Sequence, residues 1–374
     1  MKTSKIMIAA TIAASALASC NQSDNNSIMY LSVGSYAPAD SAGIAIYAFN
    51  CTDGSATRLS DTRGIANPSY QAVCADKNWL CSVSETGDDK AALVAYRFNR
   101  DNAALEEINR LTVDGADPCY VWVDSKRRLA VTANYSGGSI TAIGINPDGS
   151  LANKRVISFT GSSVDTVRQA KPHLHCTYAS PDERFLFAND LGTDSIHGFG
   201  IIDTGNSLAL ETLADPSIML TGGEGPRHTE FHPNGRFAYV IGELSGNVTT
   251  MQYANGKFTV VQSIEADSLH ASGSADIHIS PDGRFLYASN RLKGDGIAIF
   301  AINATDGTLT KVGYQPTGIH PRNFIITPDG RFLLCACRDS NVIQVFSINP
   351  ASGLLVDTHR DIAFSKPVCL KLFR

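Results

Sequence analysis

Arg227, Arg291 and Arg322 lie at breaks between short apolar runs, and so do His173, His175, His228 and His320, with Glu85 and Glu243 the carboxylates in the same setting. The planar fork of an arginine suits a carboxylate, a phosphate or an oxyanion. A histidine and a carboxylate held close together divide general-base and general-acid work. If one site gathers these groups, its chemistry is hydrolysis of an anionic ester or lactone. Arg227 and Arg291 would hold the substrate anion and the developing oxyanion, and Glu243 or a histidine would activate water. Whether they gather depends on the elements that carry them.

No segment sustains a helical period, whereas short β-rich runs broken by Gly, Asn, Asp and Pro recur throughout, so the fold class is all-β. One unit repeats: an inner apolar strand, a turn, a second apolar strand, a polar tip, then two more strands. Its clearest copies are Ser280-Pro281-Asp282-Gly283-Arg284-Phe285 and Thr327-Pro328-Asp329-Gly330-Arg331-Phe332, with variants at His232–Phe237 and Ser180–Phe185 and weaker ones at Ala75–Trp79 and Val123–Arg127. Pro68, Pro118, Pro172, Pro226 and Pro321, with Ala275 in the one place lacking proline, open the inner strands at steps of 46 to 54 residues. That is the length of a four-stranded propeller blade. Val368–Phe373 looks like an inner strand without a successor and Ile28–Tyr36 like a second strand without a predecessor. Pairing them predicts a seventh blade and a closed, seven-bladed β-propeller with no exposed sheet edge.

In antiparallel blades every inner-strand start and every second-strand tip lies at one mouth of the central channel. The starts bring His173, His175, Arg227, His228, His320 and Arg322 there, and the tips bring Glu85, Asn134, Asp190, Glu243 and Arg291. Catalytic candidates are therefore Glu243, His173, His175, Arg227 and Arg291. Substrate contacts are expected from His228, Arg322, Asn134, Asp190 and Glu85. The long loops 161–171, 214–225 and 267–274 feed the same mouth, where function usually elaborates a rigid frame. Arg184, Arg236, Arg284 and Arg331 follow the turns at the opposite end and are assigned to structure, while His232 and His278 are expected to be packed and hydrogen-bonded within the blades.

The remaining signals bound the function. A net charge of -5, from 31 basic and 36 acidic residues without long runs, gives no footprint for nucleic acid. There is no phosphate-cradling glycine loop and no G-x-S-x-G elbow, so no cofactor is expected. His173 and His175 would share a strand face, but no carboxylate sits beside them at ligand spacing, and no metal is assigned. Lys2 and Lys5, the apolar stretch Ile6–Leu17 and Leu17-Ala18-Ser19-Cys20 read as a lipoprotein signal peptide over residues 1–19. Cys20 would carry the lipid, residues 20–27 form a tether, and residues 28–374 form the propeller. The protein would then be exported, periplasmic or at the cell surface, and meet the membrane only through its anchor. The eight cysteines after Cys20 lie mostly in apolar runs and read as buried thiols.

The order and spelling of these segments resemble the seven-bladed β-propeller lactonases, the bacterial 6-phosphogluconolactonases and fungal carboxymuconate lactonizing enzymes. The likeness rests on Gly225-Pro226-Arg227-His228 with Phe231–Val240 and Glu243-Leu244, on Arg168-Gln169 before Pro172-His173-Leu174-His175, and on Asp190-Leu191-Gly192. It rests also on Asn134-Tyr135-Ser136-Gly137-Gly138, Ser289-Asn290-Arg291 and Pro321-Arg322-Asn323-Phe324. The resemblance implies a small anionic lactone as substrate and assigns the chemistry to His173 or His175, Arg227, Glu243 and Arg291. Gly242 departs from it, standing where the family usually carries asparagine. The same groups would also serve a lactonizing isomerase of a muconate-like acid, and the same frame a ligand-binding scaffold without catalysis.

Overall fold

Each Ser/Thr-Pro-Asp-Gly-Arg-Phe turn is built by its own side chains. Ser280 Oγ accepts the Phe285 N–H at 3.0 Å and donates to Asp282 Oδ1 at 2.6 Å, and Asp282 Oδ1 accepts the Arg284 N–H at 3.1 Å. Thr327 and Asp329 repeat the arrangement, as do Ser180 and Asp182. Gly283 and Gly330 adopt φ of 73° and 71°, a left-handed conformation that glycine enters without strain. The turn thus fixes the hairpin between first and second strands, blade after blade.

The computed structural model describes residues 27–202, 210–213 and 218–374. The signal peptide, Cys20 and most of the tether lie outside the described residues, as does part of loop 214–225. Among the described residues, seven antiparallel sheets each carry four strands, six of them in sequence order from the axis outward, and two carry a short fifth. Their inner strands, beginning with Gln71–Cys74, Pro118–Asp124, Leu174–Ala179, Pro226–Phe231, Ile277–Ile279, Pro321–Ile326 and Pro367–Phe373, touch one another in a closed circuit. The seventh blade joins the ends as predicted: Pro367–Phe373 pairs antiparallel with Ile28–Ser35, Val33 opposite Leu370.

The core lies between the faces of neighbouring blades. Phe237, Tyr239 and Ile241 of one blade pack on Ile277, Leu286, Ala288 and Phe300 of the next. Second strands such as Phe237–Gly242 are therefore buried on both faces, whereas outer strands such as Lys257–Glu265 alternate towards solvent. Tyr239 and Tyr287 stitch blades together by donating to Gly307 O at 2.9 Å and Gly353 O at 2.8 Å. All eight cysteines from Cys51 to Cys369 are free and buried.

Candidate active site

A single irregularity, repeated, decides which side chains enter the channel. In five blades the pairing of inner and second strands slips by one residue at the mouth, between Pro118 and Tyr120, Leu174 and Cys176, Pro226 and His228, Pro321 and Asn323, and Pro367 and Cys369. Such a bulge leaves one residue unpaired and re-aims its side chain. The five bulge residues are Cys119, His175, Arg227, Arg322 and Val368, and all five line one small cavity on the axis, with Ser69, Tyr70, His228 and Asn323. In the fifth blade the turn at Ser280, matched to that at His232, puts Ser274 in the place of Pro226 and Ala275 in the place of Arg227. The sequence reading that aligned Ala275 with the prolines was displaced by one residue, because it counted from proline spacing rather than from the turn.

The arginines converge on one carboxylate. Arg227 Nε donates to Glu243 Oε2 at 2.8 Å, Arg291 Nη2 lies 3.3 Å from the same oxygen, and Arg168 Nη2 donates to Oε1 at 2.5 Å. Burial opposes the Glu243 charge, but Arg291, Arg227 and Arg168 outweigh it and hold its pKa down at about 2. Both of its oxygens are already engaged by guanidiniums. This geometry suits Glu243 to anchoring the arginines rather than to the water activation that the sequence assigns it. Arg227 is 1% exposed and is held further by Ala275 O at 2.6 Å, and Arg291 by Gly273 O at 2.6 Å.

Two histidines complete the arginine settings in the same way. His228 Nδ1 meets Asp276 Oδ1 at 2.7 Å while its Nε2 faces Arg227 Nη1 at 3.2 Å. His320 Nε2 faces Arg291 Nη1 at 3.2 Å, with Asp339 Oδ2 3.6 Å from its Nδ1. Burial and the adjacent guanidiniums push His228 down to about 4 and His320 to about 3, so both are neutral acceptors for arginine N–H groups. His175 differs. It is 4% exposed, its Nδ1 has no hydrogen-bond partner, and burial followed by Arg227 keeps it neutral. His173 lies outside the bulge, its ring stacked on Tyr135 at 4.4 Å and its Nδ1 on Tyr135 O at 3.0 Å. The structure therefore separates the two histidines that the sequence left open: His175 lines the cavity and His173 does not.

The single Tyr36 O–H is shared between the two oxygens of Glu85, at 2.9 and 3.0 Å, and burial raises the Glu85 pKa. The Tyr36 ring lies 5.2 Å from the Arg322 guanidinium. Among the described residues Arg322 has no carboxylate within ion-pair distance, and Glu85 and Tyr36 act on it at longer range. Asn134 and Asp190 are not brought to the cavity. Asn134 bonds Ser139, Thr141 and Thr132 within its own blade, and Asp190 holds the His173 and Gly192 N–H groups at 2.7 and 3.0 Å. Conversely, Arg168, Tyr36 and Asp276, to which sequence reasoning gave no role, contact Glu243, Glu85 and His228. The signal for Arg168 was its place in the long loop 161–171, and for Asp276 its place at a strand start. Among the described residues no cluster of three His, Cys, Asp or Glu side chains is arranged to hold a metal ion.

A profile of the family described as lactonase, 7-bladed beta-propeller, matches residues 30–372. The chain belongs to that family. It is 35% identical over 338 residues to the 6-phosphogluconolactonase of Formosa agariphila, covering 88% of this chain and 95% of the relative. To the 6-phosphogluconolactonase of Bacillus subtilis it is 30% identical, with 91% and 97% covered. A solved structure from Bacteroides fragilis superposes with a TM-score of 0.91 at 47% identity, covering 95% of this chain and 100% of that one. The periplasmic gluconolactonase of Pseudomonas aeruginosa does so with 0.87 at 31%, covering 93% and 99%. This lactonase also explains its glycine before Glu243: a Cβ on Gly242 would come within 2.6 Å of Glu224 O, so a side chain there requires the mouth backbone to move.

Proposed function

We propose that the protein hydrolyses a sugar lactone at this mouth. The observation that carries the reading is the pairing, in one buried cavity, of a histidine whose Nδ1 has no hydrogen-bond partner and an arginine with no carboxylate within ion-pair distance. In this scheme Arg322 and Arg227 meet the lactone carbonyl and the substrate's anionic or hydroxyl groups. Water attacks the carbonyl carbon, and His175 accepts its proton. The tetrahedral oxyanion forms against the guanidiniums, the bond from that carbon to the ring oxygen breaks, and His175 returns the proton to the leaving oxygen. The product is the open hydroxy acid. The lactonase relatives support the substrate class, and 6-phosphogluconolactone and gluconolactone are the first compounds to test.

The test is proton release by the purified protein over a set of sugar lactones, phosphorylated and not, corrected for spontaneous opening. His175→Asn should lower turnover on the best substrate by about 10²- to 10⁴-fold, the usual worth of a general base. A wild-type protein that opens none of them overturns the reading.

We further infer that the protein is an exported lipoprotein acylated on Cys20. Leu17-Ala18-Ser19-Cys20 supports this, and so does the periplasmic neighbour from Pseudomonas aeruginosa. Tyr30 pairs with Phe373, at the end of the inner strand that starts at the mouth, so the chain enters the propeller on the opposite face. An anchored protein would hold its mouth away from the membrane. Cys20→Ala should abolish lipid labelling and membrane association, and a wild-type protein found soluble in the cytoplasm with Met1 retained would refute export.

A further inference from the structure

One residue below the cavity ring, the inner strands form a second belt, in which His228 of one blade is followed by Asp276 of the next and Asn323 of the one after. Asp276 is 1% exposed and its two oxygens accept from five directions. Oδ1 takes His228 Nδ1 at 2.7 Å and the Ile277 N–H at 3.1 Å. Oδ2 takes the Asn323 amide, the Phe324 N–H at 3.1 Å and, at 3.3 Å, His278 Nε2. On its other side His278 Nδ1 lies 2.6 Å from Glu230 Oε2, so an imidazolium bracketed by two carboxylates backs the buried aspartate.

The proton positions in this chain follow from hydrogen-bonding rules alone. An ionised carboxylate only accepts, so the proton of the 2.7 Å bond sits on His228 Nδ1. A guanidinium only donates, so His228 Nε2, 3.2 Å from Arg227 Nη1, must present a lone pair. One state satisfies both ends: neutral His228 with its proton on Nδ1.

We propose that Asp276 is a positioning residue of the lactone-opening site: it fixes the His228 proton on Nδ1 and so makes Nε2 the acceptor that aims the Arg227 guanidinium into the cavity. Asp276 touches no substrate and acts through His228. Its kinetic consequence rests on the lactonase reading, but the proton position does not. An asparagine at 276 is nearly the same size yet offers an N–H₂ as well as an oxygen. Turned with nitrogen towards His228, it would draw the other tautomer and set an Nε2–H against the guanidinium.

The test has two arms on the full chain. Nitrogen-resolved NMR of the histidine side chains of the wild-type protein at pH 7, assigned through His228→Gln, should show His228 protonated on Nδ1 alone. A proton on Nε2, or on both nitrogens, overturns the proposal whatever the protein's activity. Asp276→Asn should lower kcat by about 10²-fold, the cost of one misdirected oxyanion donor, with KM changed less than kcat. A folded Asp276→Asn variant with a lower melting temperature but wild-type kcat and KM would make Asp276 merely structural and refute the positioning role. Should that variant fail to fold, the wild-type tautomer decides. If the wild type opens no lactone, the functional reading fails while the NMR arm still judges the inference.

Discussion

The two ends of the channel use the same residue in opposite ways. At the turn end Arg184, Arg284 and Arg331 each pair with the aspartate two positions earlier, at 2.7, 2.8 and 2.8 Å, half exposed to water. At the mouth Arg168, Arg227 and Arg291 reach one glutamate from three separate parts of the chain. A turn arginine finds its carboxylate in its own hairpin, so one blade after another can repeat the pair and none is distinctive. At the mouth the partners differ from one arginine to the next: Arg227 meets Glu243 of its own blade, whereas Arg291 and Arg168 reach the same carboxylate from other parts of the ring, so unlike contributions together make one site. Repetition marks the frame, and departure from repetition marks the chemistry.

Breaking the ring removes both ends at once and carries the largest expected effect. A chain ending before Lys366 loses Val368, Cys369, Leu370 and Phe373, all buried, and leaves Ile28–Ser35 an open edge. At about 1.5–3 kcal/mol for each large apolar side chain, with a strand's hydrogen bonds besides, the loss rivals a typical total stability of about 5–15 kcal/mol. Calorimetry should show no cooperative transition, and a truncated chain that melts like the wild type would show that the blades do not depend on closure.

Glu243→Gln should come next. It strands two buried guanidiniums and one partly exposed one, and breaking a buried ion pair by removing one partner costs about 3–5 kcal/mol. Denaturant unfolding should register that loss, and turnover should fall at least 10²-fold because the oxyanion donors lose their anchor. Asp282→Asn, the corresponding change at the turn end, should leave turnover alone. Equal losses from the two would erase the distinction between the ends.

Legibility in the sequence follows the same division. The turns could be read because Ser280, Asp282, Gly283 and Arg284 contact one another within five residues, and their spacing fixed the blade. The missing half-units at either end gave the closure. Arg227, Glu243, Arg291 and Arg322 were found because strand direction alone carries them to one mouth. What the strand period hid is the bulge, since one unpaired residue reverses which side chain faces inward. It puts His175, and not His173, among the residues that line the cavity. Asn134 and Asp190 looked available because tips lie at the mouth, but their bonds to their own blades are set by side-chain direction. Arg168 reaches Glu243 across 75 positions of chain, a distance no local pattern encodes.

Acid should separate the ends without any mutation. Burial and Arg227 lower His228 to about 4, and burial and Arg291 lower His320 to about 3. Both contribute stability that is fully present above an unfolded value near 6.5 and is lost as pH falls through the folded values. Glu243, held at about 2 by its arginines against burial, adds stability present above about 4.5 and lost in the same direction. His278 has the opposite sign. Burial lowers it, but Asp276 and Glu230 outweigh burial and raise it to about 10, so its contribution is complete below about 6.5 and lost as pH rises through 10. The turn aspartates Asp182, Asp282 and Asp329 are also lowered, but their pairs lie in water and are screened by salt. Melting temperature should therefore fall from pH 6.5 towards pH 3 even in about 1 M salt. A decline that salt abolishes would place the acid-sensitive charges at the turns.

The smallest effect is expected from a turn arginine. Arg284→Ala removes the pair with Asp282, the guanidinium 5.2 Å from the Phe285 ring centroid, and a bond to the Pro350 carbonyl in the next blade. Each lies at the surface, where an exposed ion pair is worth about 0.2–1 kcal/mol and an exposed cation–π contact about 0.5–1 kcal/mol. The hairpin survives, because the Ser280 and Asp282 contacts that shape it involve only the backbone of residue 284. Denaturant unfolding should show a loss of about 1 kcal/mol, with kcat and KM unchanged. Were this exposed substitution to lower kcat tenfold, the turn end would be coupled to the chemistry across the height of the blade, and its arginines would belong with those of the mouth.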